Sequence, residues 1–189
     1  MGIDSTAPDK LKPFFLQLIR QSFNQLQMGD GEIADYVATM LADFSHSDRW
    51  LMLHDAQGRK LHSVVEMVVA AMGPDGQTRV LGEREVRKYV GDYTLFMSGL
   101  FRAFVQKRGF LDYYLEEGKR SYEAVSKLDV SLYRPGFLLF EELSRGFETY
   151  AGALDYMRKC FFAAAPGVNP FAGVFMQFEA LVRSGFSSN

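Results

Sequence analysis

The sequence contains only one cysteine, Cys160, among its 189 residues. A lone cysteine cannot form an intramolecular disulfide, and it cannot build a zinc site from several thiolates. Low cysteine usage is typical of proteins in a reducing compartment, and the first ten residues lack the basic and apolar stretches of a secretory signal. We therefore expect a cytoplasmic protein.

Histidine is also scarce, and the common catalytic motifs are missing. The three histidines, His46, His54 and His62, have no third ligand at a spacing typical of metal sites. No Glu-x-x-His pair of the di-iron type occurs, and there is no G-x-S-x-G, Walker or G-x-G-x-x-G motif. These absences predict that the protein has no metal and no cofactor, and they disfavour an enzyme.

The charges show no excess of one sign. Lys and Arg number 21 against 23 Asp and Glu, giving a net charge of −2, and the basic residues are interspersed with acidic ones. A nucleic-acid binder would carry a basic cluster. The charge-free stretch from Tyr93 to Phe101 is much shorter than the roughly 20 residues that cross a bilayer. We therefore expect neither a nucleic acid nor a membrane among the partners.

Apolar and aromatic residues, in contrast, are abundant. The chain is 48% hydrophobic and contains 17 Phe and 9 Tyr. This composition and length predict one domain with a substantial core, covering residues 1–189 with a flexible N-terminus at 1–9. The aromatic residues could fill that core or cover a self-complementary interface. We expect a homo-oligomer, most simply a dimer.

Apolar residues recur at three- and four-residue spacings along most of the chain, which predicts an all-α bundle of about seven helices. The first helix carries its apolar stripe from Leu11 to Leu26, and the second from Ile33 to Phe44 with Asp30 as its N-cap. The break between them, Gly29 to Gly31, is short. We therefore expect the two helices to pack against each other.

The segment that follows has one ambiguous element. Residues 50–62 suit a small β-hairpin, a plain loop or the end of a helix, because their apolar runs are short and do not alternate cleanly. A third helix is predicted from Val64 to Met72, ended by Gly73-Pro74. A solvent-exposed loop from Pro74 to Gly82 then leads to the centre of the bundle.

The central helix is predicted from Glu83 to Arg108. Its middle, Tyr93 to Phe101, carries no charge on any side, and a helix that is apolar all round is surrounded by protein. Gly109 suits the left-handed conformation that ends a helix, and another helix continues from Leu111 to Val125. We expect the other helices to be organised around this one.

A second long apolar stripe runs from Leu139 to Phe161, with alternating spacings of four and three residues. Its opposite face carries two pairs, Glu141 with Arg145 and Asp155 with Lys159, each with the acid four residues before the base. We expect these charges to lie on an exposed face.

The C-terminal segment, residues 170–184, is predicted to be an amphipathic helix that begins at Asn169-Pro170. One interpretation folds it back onto the bundle. The other offers it to a second subunit or to a groove of another protein. The predicted interface residues are Phe171, Val174, Phe175, Phe178 and Leu181.

Asp92 is the strongest candidate for a functional polar group, because it lies beside the apolar face of the central helix. A buried acid is costly unless it is paired, and Arg87, Lys88 or Arg134 could pair with it. One interpretation is a structural ion pair. The other is a pocket for a small apolar or aromatic ligand, lined by six residues: Tyr89, Gly91, Asp92, Tyr93, Met97 and Gly99.

Two of these residues are glycines in a helix interior, where each costs about 1 kcal/mol relative to alanine. Gly91 and Gly99 therefore indicate a close neighbour, which could be a helix, a second subunit or a flat ligand. Together with Tyr89-Val90-Gly91-Asp92, they faintly resemble the distal helix of haem oxygenases, whose glycines let haem lie on the backbone. The resemblance covers one helix at most.

The chain departs from that family in two ways. No adjacent glycine pair follows Gly91-Asp92, and the first helix contains no histidine to ligate haem iron. The family is therefore not assigned. The preferred hypothesis is a non-catalytic interaction or scaffold protein that self-associates. The alternatives are a binder of a haem-like or lipid-like ligand and, ranked last, an enzyme that uses Asp92 with Tyr89 or Tyr93 as acid and base.

Overall fold

A computed structural model describes residues 8–29, 31–45, 80–162 and 176 of the chain. Their regular secondary structure is helical throughout, which confirms the predicted all-α class. None of the described helices combines the length and apolarity that a bilayer crossing requires. Several predicted features lie outside the described residues: the N-cap Asp30, the three histidines, the alternatives for 50–62, the helix from Val64 to Met72, and the C-terminal helix apart from Met176.

Seven α-helices and one π-helical segment make up the described part. They are α1 (Pro8–Gln25), α2 (Gly31–Phe44), α3 (Val80–Leu100), α4 (Arg102–Lys107), α5 (Leu111–Ser131), α6 (Phe137–Arg145), α7 (Phe147–Met157) and the π segment (Arg158–Phe162).

The charge-free stretch of α3 lies at the centre of the bundle, as predicted. Every residue from Val90 to Phe101 is buried, because α3 packs along α5 on one side and against α7 on another. The helix begins at Val80, three residues before the predicted start at Glu83.

The predicted continuous helix to Arg108 is wrong at Phe101, where α3 ends and the short α4 follows. Phe101 departs from helical geometry, with φ −113° and ψ 26°, and its ring packs 5.4 Å from that of Phe96. Its amide still donates to the Met97 carbonyl, and its carbonyl accepts from Val105. The periodicity therefore continues through the break and conceals it in the sequence. Gly109, at φ 75°, has the predicted left-handed conformation.

The helices α1 and α2 pack against each other as predicted. Their buried apolar residues follow the expected stripes: Leu11, Phe15, Ile19, Phe23, Ile33, Val37, Met40, Leu41 and Phe44. Leu26 was expected on the first stripe, but it is 40% exposed. The reason is that α1 ends at Gln25 and Gln27 turns the chain with a φ of 57°.

The second long stripe is buried at its members from Leu143 to Met157 and half-buried at its two ends, Leu139 and Phe161. It spans two helices and the π segment instead of one helix. The break occurs at Gly146, where the Tyr150 ring occupies the space that a Cβ would need, 2.6 Å from Cε2. Both predicted ion pairs form, at 2.9 Å for Glu141–Arg145 and 2.6 Å for Asp155–Lys159. Asp155 is nevertheless buried, because its part of α7 packs into the bundle, and the expectation of a fully exposed face is wrong there.

Candidate functional site

The carboxylate of Asp92 on α3 is buried and receives three hydrogen bonds. Its Oδ1 accepts from the hydroxyls of Tyr36 on α2, at 2.5 Å, and Tyr122 on α5, at 2.8 Å. Its Oδ2 accepts from Nζ of Lys88, at 2.7 Å, one turn earlier on α3. The same ammonium lies 5.2 Å from the centre of the Tyr36 ring, which adds a cation–π contact. The carboxylate is therefore paired with a cation and hydrogen-bonded at both of its oxygens.

Lys88 is one of the three partners that the sequence suggested for Asp92. The other two bind elsewhere, since Arg87 donates to Glu117 at 3.2 Å and Arg134 lies 3.9 Å from Glu85. The tyrosines on Asp92 were not predicted, because they come from positions 56 residues before it and 30 after it. Their pairing depends on how three helices pack, and no local pattern in the sequence encodes that packing.

Burial, followed by the charge of Asp92, raises the pKa of Tyr36 and of Tyr122 well above the ordinary value of 10.0. A high pKa keeps each hydroxyl protonated and therefore a hydrogen-bond donor at neutral pH. Acid–base catalysis instead works best when the pKa of the group lies near the working pH. The tyrosines that contact Asp92 are thus suited to holding its carboxylate in place.

Two further ion pairs join α3 to α5 beside Asp92. Arg84 binds the fully buried carboxylate of Asp129 through two hydrogen bonds, Nε to Oδ1 at 2.5 Å and Nη2 to Oδ2 at 2.9 Å. Arg87 binds Glu117, which is also buried. We use the name polar seam for the two ion pairs and the Asp92 cluster, which comprise Tyr36, Arg84, Arg87, Lys88, Asp92, Glu117, Tyr122 and Asp129.

The sequence does contain a signal for the polar seam. Arg84, Arg87, Lys88, Gly91 and Asp92 follow the spacing of a single helix face, and that face packs on α5. A run of cations on a buried helix face predicts buried acids on its neighbour, because an unpaired buried charge is very costly.

Both helix glycines lie against packed helices. A Cβ on Gly91 would come within 2.6 Å of the Tyr122 ring on α5, and a Cβ on Gly99 within 2.6 Å of Leu154 Cβ on α7. The sequence suggested a helix, a second subunit or a flat ligand as the close neighbour. In the described residues, the neighbour at each glycine is a helix. The two glycines contact different helices.

The remaining predicted ligand-binding residues lie on other sides of α3. The rings of Tyr89 and Tyr93 stack with their centres 6.3 Å apart, and Tyr93 also packs against Tyr114 at 6.2 Å. Met97 is fully buried. Ligand binding by the six residues stays a prediction. Within the described ranges, no three His, Cys, Asp or Glu side chains are grouped so that they could hold a metal ion.

The turn between α5 and α6 presents an unusual exposed residue, Tyr133. Its side chain is 97% exposed, and its φ of 53° lies in the left-handed region that favours glycine. The turn is held by backbone hydrogen bonds from Tyr133 to Val130, at 3.2 Å, and from Arg134 to Asp129, at 2.9 Å. Val130 and Leu138, on either side of the turn in the sequence, are also exposed, and we use the name turn cluster for these two residues and Tyr133.

A groove of about 300 Å³ lies between α2 and α6, close in sequence to the turn cluster. Its lining combines apolar and acidic residues with one arginine: Ile33, Leu138, Leu139, Glu32, Glu141, Glu142 and Arg145. The formal charge of the lining is therefore negative. Leu138 belongs both to the groove and to the turn cluster.

No model of a known protein family matches the chain, and no curated protein or solved structure matches it either. The geometry of the described residues is therefore the basis for any functional proposal.

Proposed function

We propose that the chain is a non-catalytic cytoplasmic interaction protein that self-associates, most simply as a dimer, through the turn cluster. The observation that carries the proposal is Tyr133, an aromatic side chain exposed almost completely on a left-handed backbone. Tyrosine is enriched at protein interfaces and among the residues that dominate binding energy. An exposed tyrosine at a strained position is therefore a strong candidate for an interface anchor.

The backbone strain at Tyr133 supports this proposal. A left-handed conformation costs a residue with a Cβ about 1–2 kcal/mol, and such strain concentrates at functional sites. Here the surrounding structure enforces it, because the Asp129 carbonyl accepts the Arg134 amide while the Asp129 carboxylate is held by Arg84. The polar seam thus contributes to the position of Tyr133.

The neighbours of Tyr133 support an interface as well. Val130 and Leu138 are 54% and 62% exposed, so the chain presents exposed aliphatic side chains shortly before and shortly after Tyr133. Exposed apolar residues that occur singly are ordinary, whereas a group of them marks an interaction site. A cytoplasmic location is favoured by the free thiol of Cys160. The predicted interface on the C-terminal helix remains a separate prediction.

Sedimentation equilibrium of the full chain at micromolar concentrations tests the proposal. We expect the wild-type protein to approach twice the mass of one chain, and Tyr133→Asn to weaken self-association at least about tenfold, as for an interface anchor. Asparagine tolerates the left-handed conformation, so the variant keeps the turn. Tyr113→Asn, near the other end of α5, is the matched control and should associate like the wild type. A wild-type protein that stays monomeric throughout would refute the proposal.

A further inference from the structure

The turn and the groove lie near one another on the same copy of the chain. Leu138 in the groove wall is five positions after Tyr133 in the sequence, which limits the distance between their Cα atoms to about 18 Å. A chain that carries both a projecting side chain and a groove can pair with a second copy about a twofold axis, so that each contact occurs twice.

We propose that the occupant of the groove is Tyr133 of a second copy of this chain, with Arg134 of that copy meeting the carboxylate of Glu141. This inference rests on the proposed self-association and specifies how it occurs. In the resulting dimer, each copy supplies one turn and one groove.

Charge complementarity favours a second copy as the occupant. Two carboxylates in the groove lining, Glu141 and Glu142, share one guanidinium, that of Arg145. Arg145 donates to Glu141 at 2.9 Å and to Glu142 at 3.0 Å, and carboxylate oxygens accept more than one hydrogen bond each. A further cation beside an apolar anchor is therefore the ligand that suits this groove.

The Tyr133-Arg134 dipeptide supplies that combination. The side chain of Arg134 is 40% exposed, and its contact with Glu85, at 3.9 Å, is longer than a direct hydrogen bond. The guanidinium can therefore form a closer pair on association. Ile33, Leu138 and Leu139 supply apolar lining for the tyrosine ring, and about 300 Å³ lies at the lower end of the volumes that hold small ligands.

A charge reversal and its compensation test the proposed contact. Arg134→Glu should raise the dimer dissociation constant at least about tenfold, because like charges then face each other at both equivalent contacts. The double variant Arg134→Glu/Glu141→Arg should restore most of the lost affinity, since the two charges are exchanged. Arg120→Glu reverses an exposed arginine within α5, outside the turn, and should leave the dissociation constant unchanged.

Leu138→Asn provides a second test that does not depend on charge. This exposed position tolerates a polar residue, and the variant should weaken association at least about tenfold if an aromatic ring packs on Leu138. If circular dichroism shows that the double variant does not fold, Leu138→Asn alone tests the groove contact. A dimer that responds to neither Arg134→Glu nor Leu138→Asn refutes the groove contact and leaves self-association standing. A monomeric wild-type protein refutes both proposals.

Discussion

Arg84 and Asp129 lie 45 residues apart in the sequence, and their side chains form a two-bonded ion pair at the junction of α3 and α5. The Asp129 side chain is fully buried, whereas that of Arg84 is 11% exposed. Hydrogen bonding to Asp129, the largest cause, raises the pKa of Arg84 above its already high ordinary value. Arg84 therefore remains charged whenever the chain is folded at neutral pH.

We expect Arg84→Met to lower the free energy of unfolding by about 3–5 kcal/mol, because it leaves the Asp129 carboxylate buried without its cation. Denaturant titration followed by circular dichroism measures the loss. Lys127→Met removes an exposed ion pair on α5, the helix that carries Asp129, and should leave the denaturation midpoint unchanged.

The double variant Arg84→Met/Asp129→Leu should recover much of that loss, since well-packed apolar residues often replace a buried ion pair without cost. If Arg84→Met behaves like the Lys127 control, the pair contributes nothing to stability and this assignment fails.

Gly91→Ala should destabilise the protein by about 1–3 kcal/mol even though alanine is the better helix former, because its Cβ would collide with the Tyr122 ring. The matched control is Gly152→Ala on α7, where nothing lies within 4 Å of the new Cβ. That substitution should stabilise the chain by about 0.5–1 kcal/mol. Thermal unfolding of the two variants beside the wild type should therefore show shifts of opposite sign.

Replacing Tyr133 should separate stability from association. Tyr133→Asn relieves left-handed strain and should raise the free energy of unfolding of the monomer by up to about 1 kcal/mol, although the same variant weakens the dimer. Gly109→Ala imposes the opposite change at a φ of 75° and should cost about 1 kcal/mol. Denaturant titration at concentrations where the chain is monomeric gives both values. A destabilised Tyr133→Asn would show that the ring packs on the fold.

Alkaline pH should unfold the protein through its buried tyrosines. Burial raises the pKa of Tyr89 and of Tyr114 to about 12, from 10.0 in the unfolded chain. The folded state thus retains protons that the unfolded state releases, and stability must fall as the pH rises from 10 through 12. The stabilisation is fully present below pH 10.

Tyrosinate absorbance and circular dichroism, recorded in one titration, check this expectation. The buried tyrosines should ionise together with the loss of helix. If all nine tyrosines ionise near pH 10 while the helices persist, the described burial is incorrect.

The sequence predicted the parts of the fold that depend on local pattern. Residues Tyr93 to Phe101 are buried because a charge-free helix segment can be stable only inside the protein, and that inference needs no partner. The breaks at Phe101 and Gly146 were missed because hydrogen bonding continues across both, so the apolar spacing hardly changes. Periodicity reports which face is buried and is insensitive to a small bend.

The polar seam was predicted only in part, for a different reason. Lys88 was a named partner for Asp92 because the two residues share a helix and are four residues apart. Glu117 and Asp129 lie in a segment of ordinary charge density, and their burial follows from arginines 30 and 45 residues away. Tyr133 was missed because exposure and backbone strain leave no periodic signal.

The three hydrogen bonds to Asp92 also bear on how the protein unfolds. Their donors lie on α2, α3 and α5. The carboxylate therefore keeps all three hydrogen bonds only while the three helices are packed together. A state in which one helix has separated would lose the bond from that helix and weaken the remaining network. We therefore expect α2, α3 and α5 to lose their protection from hydrogen exchange together, as one cooperative unit.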